Sequence, residues 1–221
     1  MVKPSEQEIA KALLERYGCT FAEELNIPIE QNTPSALFRL LCAALLFSAR
    51  IKYKIAIKAA QALADQGWMT PRRMVAADWA ERTKTINRSG YARYDERTST
   101  MLGDTAQKIL DRYNGDLRNL REEADHKPDR ERELLKEFKG IGDVGVDIFF
   151  REVQVPWEEL FPFADKKALQ GAKKLGFKDD VRALLDLTGN HNFPKLVAAL
   201  VRMQLDGTQK EILEEAHKVK T

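Results

Sequence analysis

The stretch 34-PSALFRLLCAALLFS-48 does most to limit the folds open to this chain. Thr33 and Pro34 form an N-cap and first-turn pair, which predicts that a helix opens here. The stretch is apolar almost all round. A helix without a polar face has to lie at the centre of a fold, covered by other elements. Its longest apolar run, 40-LLCAALLF-47, is far too short to span a bilayer. The cover must therefore come from the rest of the chain.

That cover reads as helical nearly throughout. Residues 5–17 repeat apolar positions at Ile9, Leu13 and Leu14 and close at Gly18. Helical patterns follow at 53–66, at 71–87 with a break, and at 94–113, the last stopping at Asn114-Gly115. Shorter pieces are predicted at 117–124 and 129–138. Residues 154–164, with two prolines, read as an irregular connection; Asp165 then stands where an N-cap belongs, before a helix over 166–175. The remaining stretches are 179–187, 193–204 and 208–219. No sustained alternation marks a sheet, so the expected class is all-α. The mixed-charge run 121-REEADHKPDRERE-133 reads as a solvated connection between lobes.

A length of 221 residues allows one large domain or two intimate lobes, and 43% apolar residues is ordinary for a globular chain. The start, MVKPSEQEIAKALLERYG, has acidic residues and amphipathic spacing rather than a signal peptide, so a cytoplasmic location is expected. Cys19 and Cys42 are the only cysteines and neither has a CxxC neighbour; a zinc or iron–sulfur site built on cysteines is excluded. The net charge of +2 does not announce a nucleic-acid partner. Its distribution says more: 50-RIKYKIAIK-58 and 166-KKALQGAKKLGFK-178 carry basic residues and no acid. Each is a solvated face or part of a local positive surface.

The chemistry-bearing stretch is 136-KEFKGIGDVGVDIFF-150. Its glycines lie between a short amphipathic piece (Leu134, Leu135, Phe138) and a second helix with one wide apolar stripe (Val144, Val146, Ile148, Phe149, Phe150, Val153). A tight turn there needs positive φ or a close backbone approach. One reading is an ordinary helix–helix corner. The other is a helix-hairpin-helix, in which unpaired amides of the turn and of the second helix point at a phosphate oxygen.

Four stretches, in order and spacing, resemble the endonuclease III branch of the helix-hairpin-helix (HhH-GPD) DNA glycosylases. They are 45-LLFSAR-50, 90-GYARYDERTSTMLGDTAQKILDRYNGDL-117, 138-FKGIGDVGV-146 and 163-FADKKAL-169. The similarity spans roughly residues 30–205. It implies an all-α fold of two helical lobes with an active-site cleft between them. One lobe would be a central bundle over 30–132; the other would join 1–29 to 133–221 and carry the hairpin at about 134–153. It implies a base-excision enzyme acting on double-stranded DNA with a damaged or mispaired base.

The resemblance gives the catalytic role to Asp165, whose carboxylate would stabilise an oxocarbenium-like sugar and orient or deprotonate the attacking water. Its alternative is a plain helix cap. Gly140, Ile141, Gly142 and Val144 of the hairpin, with Lys139, Lys166 and Lys167, are the expected DNA contacts, and Arg50 occupies the place of the family's inserted wedge. Tyr53, Tyr91, Tyr94 and Trp157 are candidate walls for a flipped base, since such bases stack on aromatics, with ordinary core packing as the alternative for each. Hairpin carbonyls could hold a monovalent cation.

Four departures shape the expectation. Strand-cutting relatives carry a Schiff-base lysine where this chain has Val144, which cannot be a nucleophile. The four cluster cysteines of many relatives are absent. Lys166 and Lys167 replace a Thr-His pair after the aspartate, and Asp143 adds a negative charge at the hairpin. The expected activity is therefore a monofunctional N-glycosylase without AP lyase activity, needing no iron–sulfur cluster and acting as a monomer. The rival readings are a catalytically inactive DNA-binding protein and a helical protein-interaction domain.

Overall fold

A computed structural model describes residues 3–218. In chain order the helices are α1 (Glu6–Tyr17), α2 (Phe21–Glu24), α3 (Pro34–Phe47), α4 (Tyr53–Asp65), α5 (Pro71–Ala76), α6 (Trp79–Arg88), α7 (Asp95–Tyr113), α8 (Arg118–Glu123), α9 (Pro128–Lys136), α10 (Asp143–Val153), α11 (Lys166–Leu175), α12 (Val181–Asp206) and α13 (Gln209–Lys218). Single 3-10 turns sit at Ile29–Gln31 and Glu158–Leu160. Among the described residues there is no strand, and no helix is long and apolar enough to cross a membrane. The chain divides into two compact units: Leu25–Glu159, and Met1–Glu24 with Leu160–Thr221.

In the unit Leu25–Glu159, α3 is the central element the sequence calls for. Thr33 caps it, accepting from the Ala36 amide at 3.3 Å, and Pro34 opens its first turn. Leu37, Leu40, Leu41, Leu45 and Leu46 are all buried, each worth about 2 kcal/mol relative to exposure. The helices α4, α7 and α10 pack against it. The break expected inside 71–87 falls at Ala77–Asp78, where the Asp78 carboxylate restarts the chain as α6 by accepting from the Ala80 and Glu81 amides at 2.8 and 3.2 Å. Asn114, in the left-handed region at φ 54°, ends α7 where the sequence places its stop.

The unit boundaries differ from those expected. The hairpin belongs with the central bundle and not with the C-terminal segment: α10 packs on α3 and α9, with Val146, Phe149, Phe150 and Val153 of the expected stripe buried, while Val144 is exposed. Residues 25–29 join the same unit: Leu25, Ile27 and Ile29 are buried, and Arg39 donates to the Leu25 and Asn26 carbonyls at 2.9 Å. The run 121–133 is no solvated connection between lobes. Arg121 makes two 2.6 Å bonds to Glu159, and Glu131 is fully buried beneath them.

Glu131 carries a consequence for stability. Among the described residues no donor reaches either of its oxygens. Burial, and the hydrogen bond and charge of Glu159, hold its pKa well above the ordinary carboxylate value, so Glu131 keeps its proton and donates it to Glu159. A raised folded pKa gives stability that is fully present below the unfolded value, near 4.5, and is lost as pH rises through the folded one. Melting temperature is therefore expected to fall as pH rises from about 5 to about 9. Glu131→Gln, which donates without titrating, should flatten that fall in a pH series of thermal melts. An equal fall in the variant would show that Glu131 is not its source.

In the other unit, α1 packs on α12 and α13, and α11 packs on α12. A capping box starts α1: the Glu8 amide donates to Ser5 Oγ at 3.3 Å and the Ser5 amide to Glu8 Oε2 at 2.6 Å. The short helix α2 is held by Arg202, whose guanidinium lies 4.1 Å from the Phe21 ring centre, 2.6 Å from Glu24 and 3.1 Å from the Thr20 carbonyl. The stretches expected at 179–187 and 193–204 are two helical segments within Val181–Asp206, separated at Gly189, whose φ of 71° and ψ of 168° are not helical.

Candidate nucleic-acid interface

The hairpin lies between the end of α9 at Lys136 and the start of α10 at Asp143. Phe138 anchors it from below, buried with its ring 6.2 Å from that of Tyr113. Gly140 has φ +93°, and a Cβ there would stand 2.6 Å from Met101 Sδ. Gly142 is different. It is extended at φ −104° and ψ −164°, it is the N-cap of α10 without any side-chain cap, and a Cβ there would meet nothing within 4 Å. The first amides of α10 have no intrahelical acceptor, and Gly142 has no side chain to supply one. Val144, in that first turn, is 65% exposed. This is the geometry of an anion-binding helix start.

Ile141 departs from its expected role. Its side chain is buried and its amide donates to the Phe138 carbonyl at 2.9 Å, so it shapes the turn and offers no donor outward. The negative charge of Asp143 is partly answered: Lys136 Nζ lies 2.8 Å away and holds that carboxyl below its ordinary pKa. Lys139 is exposed and 3.7 Å from Asp104. Both pairs are open to solvent and weak, so these lysines remain able to turn to a phosphate.

Beside the hairpin is a recess of about 380 Å³ whose lining includes Ser48, Arg50, Tyr94, Arg97 and Gly140. Arg50 and Tyr94, far apart in sequence, are thus brought to one place with the glycine turn. Tyr94 is half-buried and carries the Arg93 guanidinium 5.3 Å from its ring centre. Tyr53, also half-buried, has Lys54 Nζ 5.5 Å from its ring. Two expected wall residues are core instead. Tyr91 is fully buried, donates to the Leu46 carbonyl at 2.9 Å, and burial pushes its hydroxyl up to about 12. Trp157 is fully buried, edge-on to Phe149 at 5.7 Å, with its indole N–H donating to Asn32 Oδ1 at 3.2 Å. Neither presents a face for a base to stack on. Sequence reading missed Met101 beneath Gly140 and Arg97 at the recess, since only the packing of α7 brings them there.

Asp165 belongs to the other unit. It is 6% exposed and caps α11, with Oδ1 accepting from the Ala168 amide at 2.8 Å. The structural role weighed for it is therefore real, and the cap fixes the carboxylate in one orientation. Lys166 and Lys167 follow it on the first turn of α11, both exposed. They continue with Lys173 and Lys174 along a helix whose other face, Ala168, Ala172 and Leu175, is buried.

The fold is similar to that of endonuclease III in a non-covalent complex with DNA, with a TM-score of 0.55, 17% identity, and 88% of this chain and 81% of that chain covered. A trapped endonuclease III–DNA covalent intermediate, an estranged-adenine complex, matches with a TM-score of 0.49 and 19% identity over 76% of this chain and 73% of that one. No family model and no curated protein matches the sequence. At 17% identity the first likeness establishes the all-α fold.

The thiols do not fit a four-cysteine cluster. Cys42 is buried within α3, where loss of solvent raises its pKa, and Cys19, half-buried, belongs to the other unit.

Proposed function

We propose that this chain is a DNA glycosylase that hydrolyses the N-glycosidic bond of a damaged or mispaired base in duplex DNA. The observation that carries the reading is the start of α10: uncapped amides behind Gly142, with open space where a Cβ would stand. It is supported by a fold shared with a protein solved in complex with DNA. Backbone donors at a helix start hold a phosphate without reading sequence, as an enzyme acting at many sites needs. Gly140, Gly142 and Val144 supply that contact through the backbone. Lys139, Lys166, Lys167 and Arg50 add charge, and the carbonyls left over in the turn are the donors a monovalent cation would take.

In this reading Asp165 is the carboxylate that stabilises positive charge on the sugar as the base departs and orients the attacking water. Its burial and its bond to the Ala168 amide hold the group in one fixed position. Val144 offers no amine, so the product is an abasic site on an intact strand, formed by a monomer.

Incubation with duplexes carrying alkylated purines, oxidised pyrimidines, or mismatched thymine or uracil tests this. Free base should appear from at least one, with strand scission only after alkali and no adduct trapped by borohydride. A trapped adduct would show that an amine of the chain, Lys139, Lys166 and Lys167 being the candidates, acts as a nucleophile, and would end the monofunctional reading. Tight binding with no release from any duplex would leave a DNA-binding protein without chemistry.

A further inference from the structure

The chain has 36 basic and 34 acidic residues, a near balance of charge. In the unit Leu25–Glu159 many cations pair with an acid: Arg112, Arg118, Arg121, Arg130 and Arg132 each lie within 2.7 Å of a carboxylate oxygen. Arg50 and Arg97 do not. Both are exposed, and among the described residues neither has an ion-pair partner. They come from different elements, Arg50 from beyond the end of α3 and Arg97 from the first turn of α7, yet they line one recess.

That recess contains no acid. Its polar lining residues are Arg50, Arg97, Ser48, Tyr94 and Thr98, with the Ser48 hydroxyl donating to the Ala44 carbonyl, the hydroxyl of Tyr91 turned into the core, and Gly140 forming part of the wall. Two other open recesses of the molecule mix charges: one holds Asp104 and Asp111 beside Lys108 and Arg112, the other Glu15 beside Lys11 and Lys195. An acid-free concavity with two unpaired planar donors is built for an oxyanion, because a guanidinium presents paired N–H groups that match phosphate oxygens.

We infer that Arg50 and Arg97 together hold a single backbone phosphate of the DNA. This rests on the DNA-binding reading but not on excision. It gives Arg50 a task other than the wedge expected of it: an arginine committed to a phosphate at the recess does not stack between bases. The hairpin amides and this pair, joined at Gly140, then grip the backbone at two neighbouring points.

The test is fluorescence anisotropy of the full chain with a labelled duplex containing a tetrahydrofuran abasic analogue, over a range of salt. Each neutralised phosphate contributes about 0.9 to the slope of log affinity against log salt. R97A and R50A should each weaken binding roughly tenfold, as the loss of a charge-assisted contact does. The double variant should lose about 0.9 in slope, the share of one phosphate. A loss of about 1.8 would mean two separate phosphates and overturn the shared site. An unchanged slope in R50A/R97A would also overturn it and return Arg50 to stacking. Both residues are exposed, so melting temperatures should match the parent and exclude misfolding as the cause. If the parent binds and these variants bind equally, the clamp fails alone. If the parent does not bind the duplex at low salt, the DNA reading fails with it. If the parent binds without releasing a base, only excision fails and the clamp stands on the slopes.

Discussion

Asp165→Asn is expected to slow base release by a factor on the order of 10²–10⁴ while leaving the fold and the affinity for DNA nearly unchanged. The expectation follows from the two tasks of one side chain. As a cap, Asp165 needs only an oxygen that accepts from the Ala168 amide at 2.8 Å, and asparagine supplies one equally well. As a catalyst it needs a full negative charge, which asparagine lacks. Single-turnover excision on whichever duplex the parent cleaves, with thermal melts alongside, separates the two. Asp165→Ala removes both tasks and should cost about 1 kcal/mol of stability as well. If the asparagine variant releases base at the parent rate, the carboxylate is a helix cap and nothing more, and the chemistry must be sought elsewhere.

The helices were legible because their signals are local. Thr33-Pro34, Asp165 before a basic amphipathic run, and Asn114-Gly115 each mark an end within a few residues, and the structure places ends there. What was not legible depends on packing between distant segments. Trp157 reads like a pocket aromatic, but its indole is covered by Phe149 and tied to Asn32, which no local pattern reveals. Glu131 sits in a run that looks solvated, yet the Arg121–Glu159 pair closes over it. The assignment of the hairpin to the wrong lobe has the same origin. Sequence order put it after the mixed-charge run, whereas α10 packs on α3, more than ninety positions earlier, and buries Val146, Phe149, Phe150 and Val153. The glycine corner lies between these extremes: its turn was readable, but its division of labour was not.

That division gives the second large effect. Gly140→Ala and Gly142→Ala are expected to fail in opposite assays. At Gly140 a side chain is forced to φ +93° with its Cβ 2.6 Å from Met101 Sδ, so the turn or Met101 must move. Strain and crowding together should cost about 2–4 kcal/mol, or roughly 5–15 °C in melting temperature for a chain of this length. At Gly142 the backbone is extended, which alanine adopts, and the added methyl meets nothing within 4 Å. Stability should therefore fall by about 1 kcal/mol at most, the difference between glycine and alanine at an N-cap. The open space is where a phosphate would have to come to reach the first amides of α10. A methyl there holds it off, and loss of one charge-assisted bond should weaken duplex binding by roughly 10–100-fold. A Gly142→Ala protein that melts like the parent and binds DNA equally well would show that the first turn of α10 faces no phosphate. The hairpin would then be an ordinary helix–helix corner, and the whole functional reading would lose the observation that carries it.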